Sequence, residues 1–357
     1  MLSVFSVLLF AGAVLVAEAC QGSISSLSDV DYAVKCTTIT LRGFTVPAGQ
    51  GLILNLLPGT TVTMAGDISF GNKSWAGPLF TIIGTSITFN GNGHKFNGGG
   101  PFYWDGKGLN SGTQKPDPMM KIKMSGTFQG VTVVNSPARA FSVANPAPLL
   151  MTGLTVDDSQ GDYANNRSKG LAAGHNTDGF DVGSDNVTIQ NCTVHNQDDC
   201  LAINKGKNIT FDRNTCIGGH GISIGSIGSN VAVSGVIVSN NIINESDQAL
   251  RIKTIASATG SVVGNVTYSG NTAKGIRKFG VIIDQSYPST LGTPGTGTII
   301  SNVNFGSPFS NITVNSGANQ VAVNCGSGSC IGTWNWYYLS AKGGVTSPPS
   351  NVNILGL

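Results

Sequence analysis

Charge is scarce in this chain. Only 11% of its 357 residues are Asp, Glu, Lys or Arg, against ~25% in ordinary soluble domains, and no block of like charge forms a nucleic-acid arm. His is limited to 4 residues, so a multi-His metal centre has little to draw on. No Lys-Ser/Thr follows Gly98–Gly100 or Gly218-Gly219, so neither is a phosphate loop. Beyond the N-terminus no apolar run is long enough to span a bilayer. The 49 Gly residues have no three-residue period, which excludes collagen. What is present is 40% apolar residues, enough for a large core and too many for a disordered chain. Turn-dense Gly and Asn between β-branched runs point to an all-β protein. The net charge of +2 suits a polyanionic partner without demanding one.

Residues 2–16 form an uncharged apolar run, followed by Ala17-Glu18-Ala19, a small-x-small cleavage pattern. Met1–Ala19 therefore reads as a signal peptide, and the product as a secreted, extracellular protein. No Lys or Arg precedes the run; a retained membrane anchor is the alternative, and a lipoprotein at Cys20 a weaker one because Glu18 fits a lipobox poorly. An export route permits disulfides. Seven Cys remain, and sequence order favours Cys20–Cys36, Cys200–Cys216 and Cys325–Cys330, with Cys192 left as a buried free thiol. Asn-x-Ser/Thr sequons stand at Asn72, Asn166, Asn186, Asn191, Asn208, Asn244, Asn265 and Asn311, and several fit strand turns as well as they fit sugar attachment.

Short β-branched runs recur. Gly130-Val-Thr-Val133 and Gly153-Leu-Thr-Val156 start 23 residues apart, and Asn186-Val-Thr-Ile189, Asn208-Ile-Thr-Phe211 and Asn230-Val-Ala-Val233 start 22 and 22 apart. The step from 153 to 186 is longer and suggests an insertion containing Asp162–His175. A period of about 22 with several short strands per repeat predicts a parallel β-helix, one domain over 20–357. Its ends need caps. The 20–36 segment and Trp334-Asn-Trp336-Tyr-Tyr338 are the candidates.

Four segments hold most of the suspicious chemistry: Asn176-Thr-Asp178-Gly-Phe-Asp181, Gln197-Asp198-Asp199-Cys200, Gly219-His220-Gly221 and Arg251-Ile-Lys253. Asp178 to Asp199 is 21 residues and Asp198 to His220 is 22, so the rung period stacks them on one face. Adjacent Asp198 and Asp199 reach one groove only if the chain turns there. Clustered carboxylates cannot all ionise easily, so one pKa should rise and supply an acid, while another serves as base. Arg251 and Lys253 would hold an acidic sugar's carboxylate. Asp181, His94, His175 and His195 read as structural, and the glycines beside His220 leave room for a ligand.

These segments, in this order, resemble the signature set of the polygalacturonases, glycoside hydrolase family 28. Phe102-Tyr-Trp-Asp-Gly106, Asn135-Ser-Pro137 and the Tyr of Asp284-Gln-Ser-Tyr287 are similar to the family as well. The resemblance implies a right-handed parallel β-helix and a secreted endo-acting hydrolase of α-1,4 bonds in pectin or polygalacturonate. It implies Asp198 as general acid, Asp178 and Asp199 as activators of water, and His220 as regulator of the acid's proton. It implies Asn176, Arg251, Lys253 and Tyr287 around the bound galacturonate, inversion at the anomeric carbon, no metal or other cofactor, and action as a monomer on an anionic polysaccharide, with no nucleic-acid or membrane partner. An exo-acting or rhamnogalacturonan-directed relative, a pectate lyase and an inactive pectin-binding β-helix are the competing readings.

Overall fold

The structure, a computed structural model, describes residues 20–110 and 112–357; the leader expected at Met1–Ala19 lies outside the described residues. The chain winds into a right-handed parallel β-helix, the parallel coil expected from the repeats and the hand from the family resemblance. Along one face Val187–Gln190 pairs in parallel with Gly206–Asp212, then Ala232–Ser239, Ser261–Ser269 and Thr298–Gly306 follow in turn. Thr193–Asn196, Thr215–Gly218, Ile242–Asn244, Thr272–Ile276 and Ser310–Val314 continue each turn in a second, 11-stranded sheet. On the face that carries the site, Phe180–Val182, Leu201–Ile203, Ile222–Ile227, Gln248–Ile255 and Phe279–Tyr287 lie side by side.

Rungs form because each apolar residue lands on its counterpart one turn on. Val187, Ile209, Val236, Val266 and Val303 make one such column, each fully buried. Burial of a side chain of this size stabilises by ~1.5–3 kcal/mol. The corners fall on Asn: eleven of the sixteen non-Gly residues with positive φ among the described residues are Asn, including Asn186, Asn191 and Asn208. Its short amide tolerates this left-handed backbone better than most side chains do.

The register corrects two of the expected repeats. Thr132 pairs with Thr155 in the second sheet, whereas Val187 belongs to the other face, so the step from 153 to 186 compares different strands. The true partner of Thr155 is Thr193. Likewise Ile209 pairs with Val236, so the Asn230 run is not the rung after Asn208. The steps from 187 to 209 and from 193 to 215 have the expected 22 residues.

Cys20–Cys36 staples the N-terminal end, where Gln21–Ile24 and the helical turn Val30–Ala33 begin the coil. At the other end Trp334 and Trp336 are fully buried, and the Trp336 indole N–H donates to the Val303 carbonyl at 2.8 Å. Cys200–Cys216 and Cys325–Cys330 are also bonded, and Cys192 is a buried free thiol whose pKa burial pushes up to about 12.

Candidate active site

The site lies where chain turns deliver side chains onto the Phe180–Tyr287 face. Asp178 ends the turn before Phe180–Val182. Asp198 and Asp199 sit in the turn before Leu201–Ile203, so neither is constrained by strand alternation. Two amides hold these turns together. Asn196 Nδ2 donates to the carbonyls of Thr177 and Asp199 at 2.8 and 3.0 Å. Thr177 Oγ1 donates to Gln197 Oε1 and accepts from the Gln197 N–H, both at 2.9 Å.

Gly219 and Gly221 also have a backbone reason to be glycine. Both have positive φ, and a Cβ on either would collide with backbone, the Asp198 carbonyl in one case and that of Gln248 in the other. The glycines let His220 be drawn down by its own N–H, which donates to the Asp198 carbonyl at 2.8 Å. One rung on, Ser223 is in register with Arg251.

The eight residues expected to act, Asn176, Asp178, Asp198, Asp199, His220, Arg251, Lys253 and Tyr287, all line one open cleft. Asp199 is almost fully enclosed. Its Oδ1 accepts from Ser223 Oγ at 2.7 Å and Arg251 Nη2 at 2.6 Å, and its Oδ2 from Lys253 Nζ at 2.9 Å. Asp198 Oδ1 is 2.9 Å from His220 Nδ1 and accepts from the Asp199 N–H at 2.8 Å; its Oδ2 accepts from Asn176 Nδ2 at 3.1 Å. The Tyr287 ring lies 5.5 Å from Lys253 Nζ, within cation–π range.

Burial pushes the Asp198 pKa up, but the hydrogen bond and charge of His220, with Lys253 behind them, outweigh it and hold Asp198 below the usual carboxylate range. His220 is affected in the opposite sense: burial lowers its pKa, the Asp198 carboxylate raises it, and the net shift is upward. Asp178 is raised well above the usual value by burial and then by the charges of Asp198, Asp181 and Asp199. The raised pKa expected for the acid therefore falls, in the free protein, on Asp178 and not on Asp198. The neutralising partners decide this, because both carboxyls are buried.

Sequence reasoning missed part of the cleft. Asp181 lines it, with its pKa pushed up to about 7 by burial and one oxygen lacking a hydrogen bond. Arg139 lines it too, its Nε 3.9 Å from Asp181 Oδ2, while making a two-point contact with Asp117 at 2.9 and 2.5 Å. Leu109, Asn110 and Asn204 also contribute, and His175, read as structural, lines the cleft beside Asn176. His94 and His195 do have structural partners, Asp67 and Asp162. Asp181 carried a signal in its motif. Arg139 did not, because the inserted segment after Asp158 breaks the period that would have linked it to Asp178.

Asp198, Asp199 and His220 bring possible ligand atoms within 4.8 Å of one another. Arg251 and Lys253 already take both Asp199 oxygens, and His220 turns Nδ1 to Asp198, so these donors are spent on the protein's own cations.

The model of glycosyl hydrolases family 28 matches residues 36–354. A polygalacturonase of Penicillium griseoroseum is 43% identical over 335 residues, covering 92% of this chain and 86% of the relative. Endopolygalacturonase I of Aspergillus aculeatus is 41% identical over 339 residues, covering 92% and 85%. Among solved structures, endopolygalacturonase I from Stereum purpureum, complexed with two galacturonate, superposes with a TM-score of 0.88 at 50% identity, covering 93% of this chain and 98% of that one. With this likeness along almost its whole described length, the chain belongs to glycosyl hydrolases family 28 and is a glycoside hydrolase.

Proposed function

We propose that this glycoside hydrolase is a secreted, monomeric endopolygalacturonase that cleaves internal α-1,4 bonds of polygalacturonate by a single inverting displacement. The observation that carries the reading is the convergence of three carboxyls and His220 with Arg251 and Lys253 in one cleft. It joins acid–base groups to cations suited to a sugar carboxylate, and relatives with the endopolygalacturonase name share the chain almost end to end.

Asp198 is the proton donor. In the free protein Asp178 holds the proton more tightly. A galacturonate carboxylate docking on Arg251 and Lys253 takes up positive charge that otherwise favours the ionised form of Asp198, and so raises its pKa. Asp198 then gives its proton to the glycosidic oxygen. Asp178, ionised, and Asp199 take the proton of the water that attacks the anomeric carbon from the opposite face. His220 and Asn176 donate to the Asp198 carboxylate as it forms, which places preorganised donors where charge develops. Tyr287 keeps the Lys253 ammonium beside the sugar.

Viscosity and reducing ends, followed together on polygalacturonate, test the reading. Rapid viscosity loss with few new ends is expected. Ends that rise in proportion to viscosity loss indicate exo action. An unsaturated, ultraviolet-absorbing product indicates a lyase, and retained binding without product an inactive carbohydrate-binding protein. Any of these three overturns the proposal.

A further inference from the structure

Asp105–Asn110 is organised around the buried ammonium of Lys115. Lys115 Nζ donates to Asp105 Oδ1 at 3.0 Å, to the Gly108 carbonyl at 2.9 Å and to the Thr113 carbonyl at 3.3 Å. Its side chain is only 1% exposed. Asp105 also accepts from the backbone N–H of Lys107 at 3.1 Å, and the Gly106 N–H donates to the Ala173 carbonyl at 2.8 Å. The segment is thus tied internally and anchored next to the Asn176 turn. A buried charge of this kind is costly unless every donor is used, and here all three ammonium donors are.

What the tie holds in place is the Leu109 N–H. It donates to Asn176 Oδ1 at 2.9 Å. A backbone N–H can only donate, so it fixes which end of the amide faces it, and Nδ2 is left to donate to Asp198 Oδ2. The approach is as close as the chain allows: Gly108 has φ +60, and a Cβ there would collide with Asn176 Oδ1 and His175 Nδ1. Asn176 itself has φ +53, a left-handed backbone that Asn tolerates better than most residues.

We propose that Lys115 is a positioning residue for the reaction: it holds Asp105–Asn110 so that the Leu109 N–H orients the Asn176 amide and aims a donor at Asp198. The proposal rests on the reading of Asp198 as proton donor. Without the tie, the amide is free to rotate and present its oxygen to Asp198. That stabilises the protonated carboxyl, weakens it as an acid, and removes a donor from the carboxylate formed in the transition state.

The test uses the full mature chain, with reducing-end assays on polygalacturonate across pH and a thermal melt for each variant. Lys115→Met keeps the stem and deletes the ammonium, whereas Gly108→Ala leaves the ion pair intact and pushes on Asn176 directly. Each is expected to lower kcat by ~10–100-fold, the scale of a misplaced catalytic group, with a smaller change in KM. Each is also expected to move the alkaline limb of the kcat profile to higher pH, as Asp198 loses a donor that favours its anion. In an Asn176→Ala background, Lys115→Met should add less than about two-fold, since both act on one contact. Should Lys115→Met not fold, Gly108→Ala carries the same readouts. Unchanged kcat and alkaline limb in a folded variant, or losses that multiply in the double mutant, overturn the proposal while leaving the endopolygalacturonase reading intact. Wild-type protein that releases no ends overturns that reading instead.

Discussion

Asp178 and Asp198 differ in company more than in burial. Asp198 has His220, Asn176 and a backbone N–H around it; Asp178 has the charges of three other carboxylates around it, with Lys253 set against them. Substitution separates their roles. Asp198→Asn is expected to lower turnover of polygalacturonate by ~10²–10⁴-fold while the melting temperature stays close to wild type. A galacturonosyl fluoride, whose leaving group needs no proton, should restore much of the turnover in Asp198→Asn and little in Asp178→Asn. The reverse pattern would make Asp178 the acid. Lys253→Ala removes a cation from Asp199 and, on the proposed reading, from the substrate carboxylate, so KM should rise and kcat should fall with it; an unchanged kcat would confine Lys253 to binding. At this scale the motifs made most of the site legible, because their chemistry is local and rung spacing aligns them. Which carboxyl has the raised pKa was not legible, since it depends on how near His220, Lys253 and the other carboxyls stand to Asp178 and Asp198, which sequence does not contain.

Rungs are held at one corner by a buried amide ladder. The N–H of Cys192 donates to Asn214 Oδ1, that of Asn214 to Asn241 Oδ1 and that of Asn241 to Asn271 Oδ1, at 2.9, 2.9 and 3.1 Å. Each of the three Asn also returns Nδ2 to the carbonyl of an earlier strand end, Ile189, Phe211 and Val238 respectively. Asn241→Ala leaves the Asn214 N–H and the Phe211 carbonyl buried without these partners, and an unsatisfied buried group costs ~1–3 kcal/mol. A loss of roughly 2–5 kcal/mol is therefore expected in urea unfolding. The exposed corner residue Asn208, at φ +57, is the contrast. Asn208→Gly keeps the backbone conformation and should change stability by less than about 1 kcal/mol. Equal effects would show that the ladder is not a main source of rung cohesion. The strands themselves were legible from β-branched runs after Asn or Gly. Their register was less so: Asn230 mimics a rung start, yet the strand partner of Ile209 is Val236, because the segment before Ala232–Ser239 is lengthened. Nothing in the local pattern marks these buried Asn apart from the corner Asn.

Across the whole molecule the titrating groups divide into two sets, and together they set the pH at which the coil is most stable. Asp198, Asp247, Asp162 and Asp105 have pKa values below the usual 3.8, so their contribution is present above that pH and lost as pH falls through the depressed values. Asp158 and Asp181 are pushed up to about 7, chiefly by burial. Between 3.8 and about 7 they bind more protons folded than unfolded, so stability declines as pH rises through that window. His195 and His220 act in the same direction: their pKa values are raised above 6.5, and the stability they confer is lost as pH climbs through the raised values. The melting temperature should therefore peak in mildly acidic solution, fall towards neutrality and fall again in strong acid. Asp158 offers a direct check, because it is fully buried, lies outside the cleft, and receives both the N–H and the hydroxyl of Ser136. Asp158→Asn cannot ionise and is expected to flatten the decline between mildly acidic and neutral pH. A melting temperature that rises from mildly acidic to slightly alkaline buffer, or a slope unchanged in Asp158→Asn, would show that burial of these carboxyls does not govern the pH response.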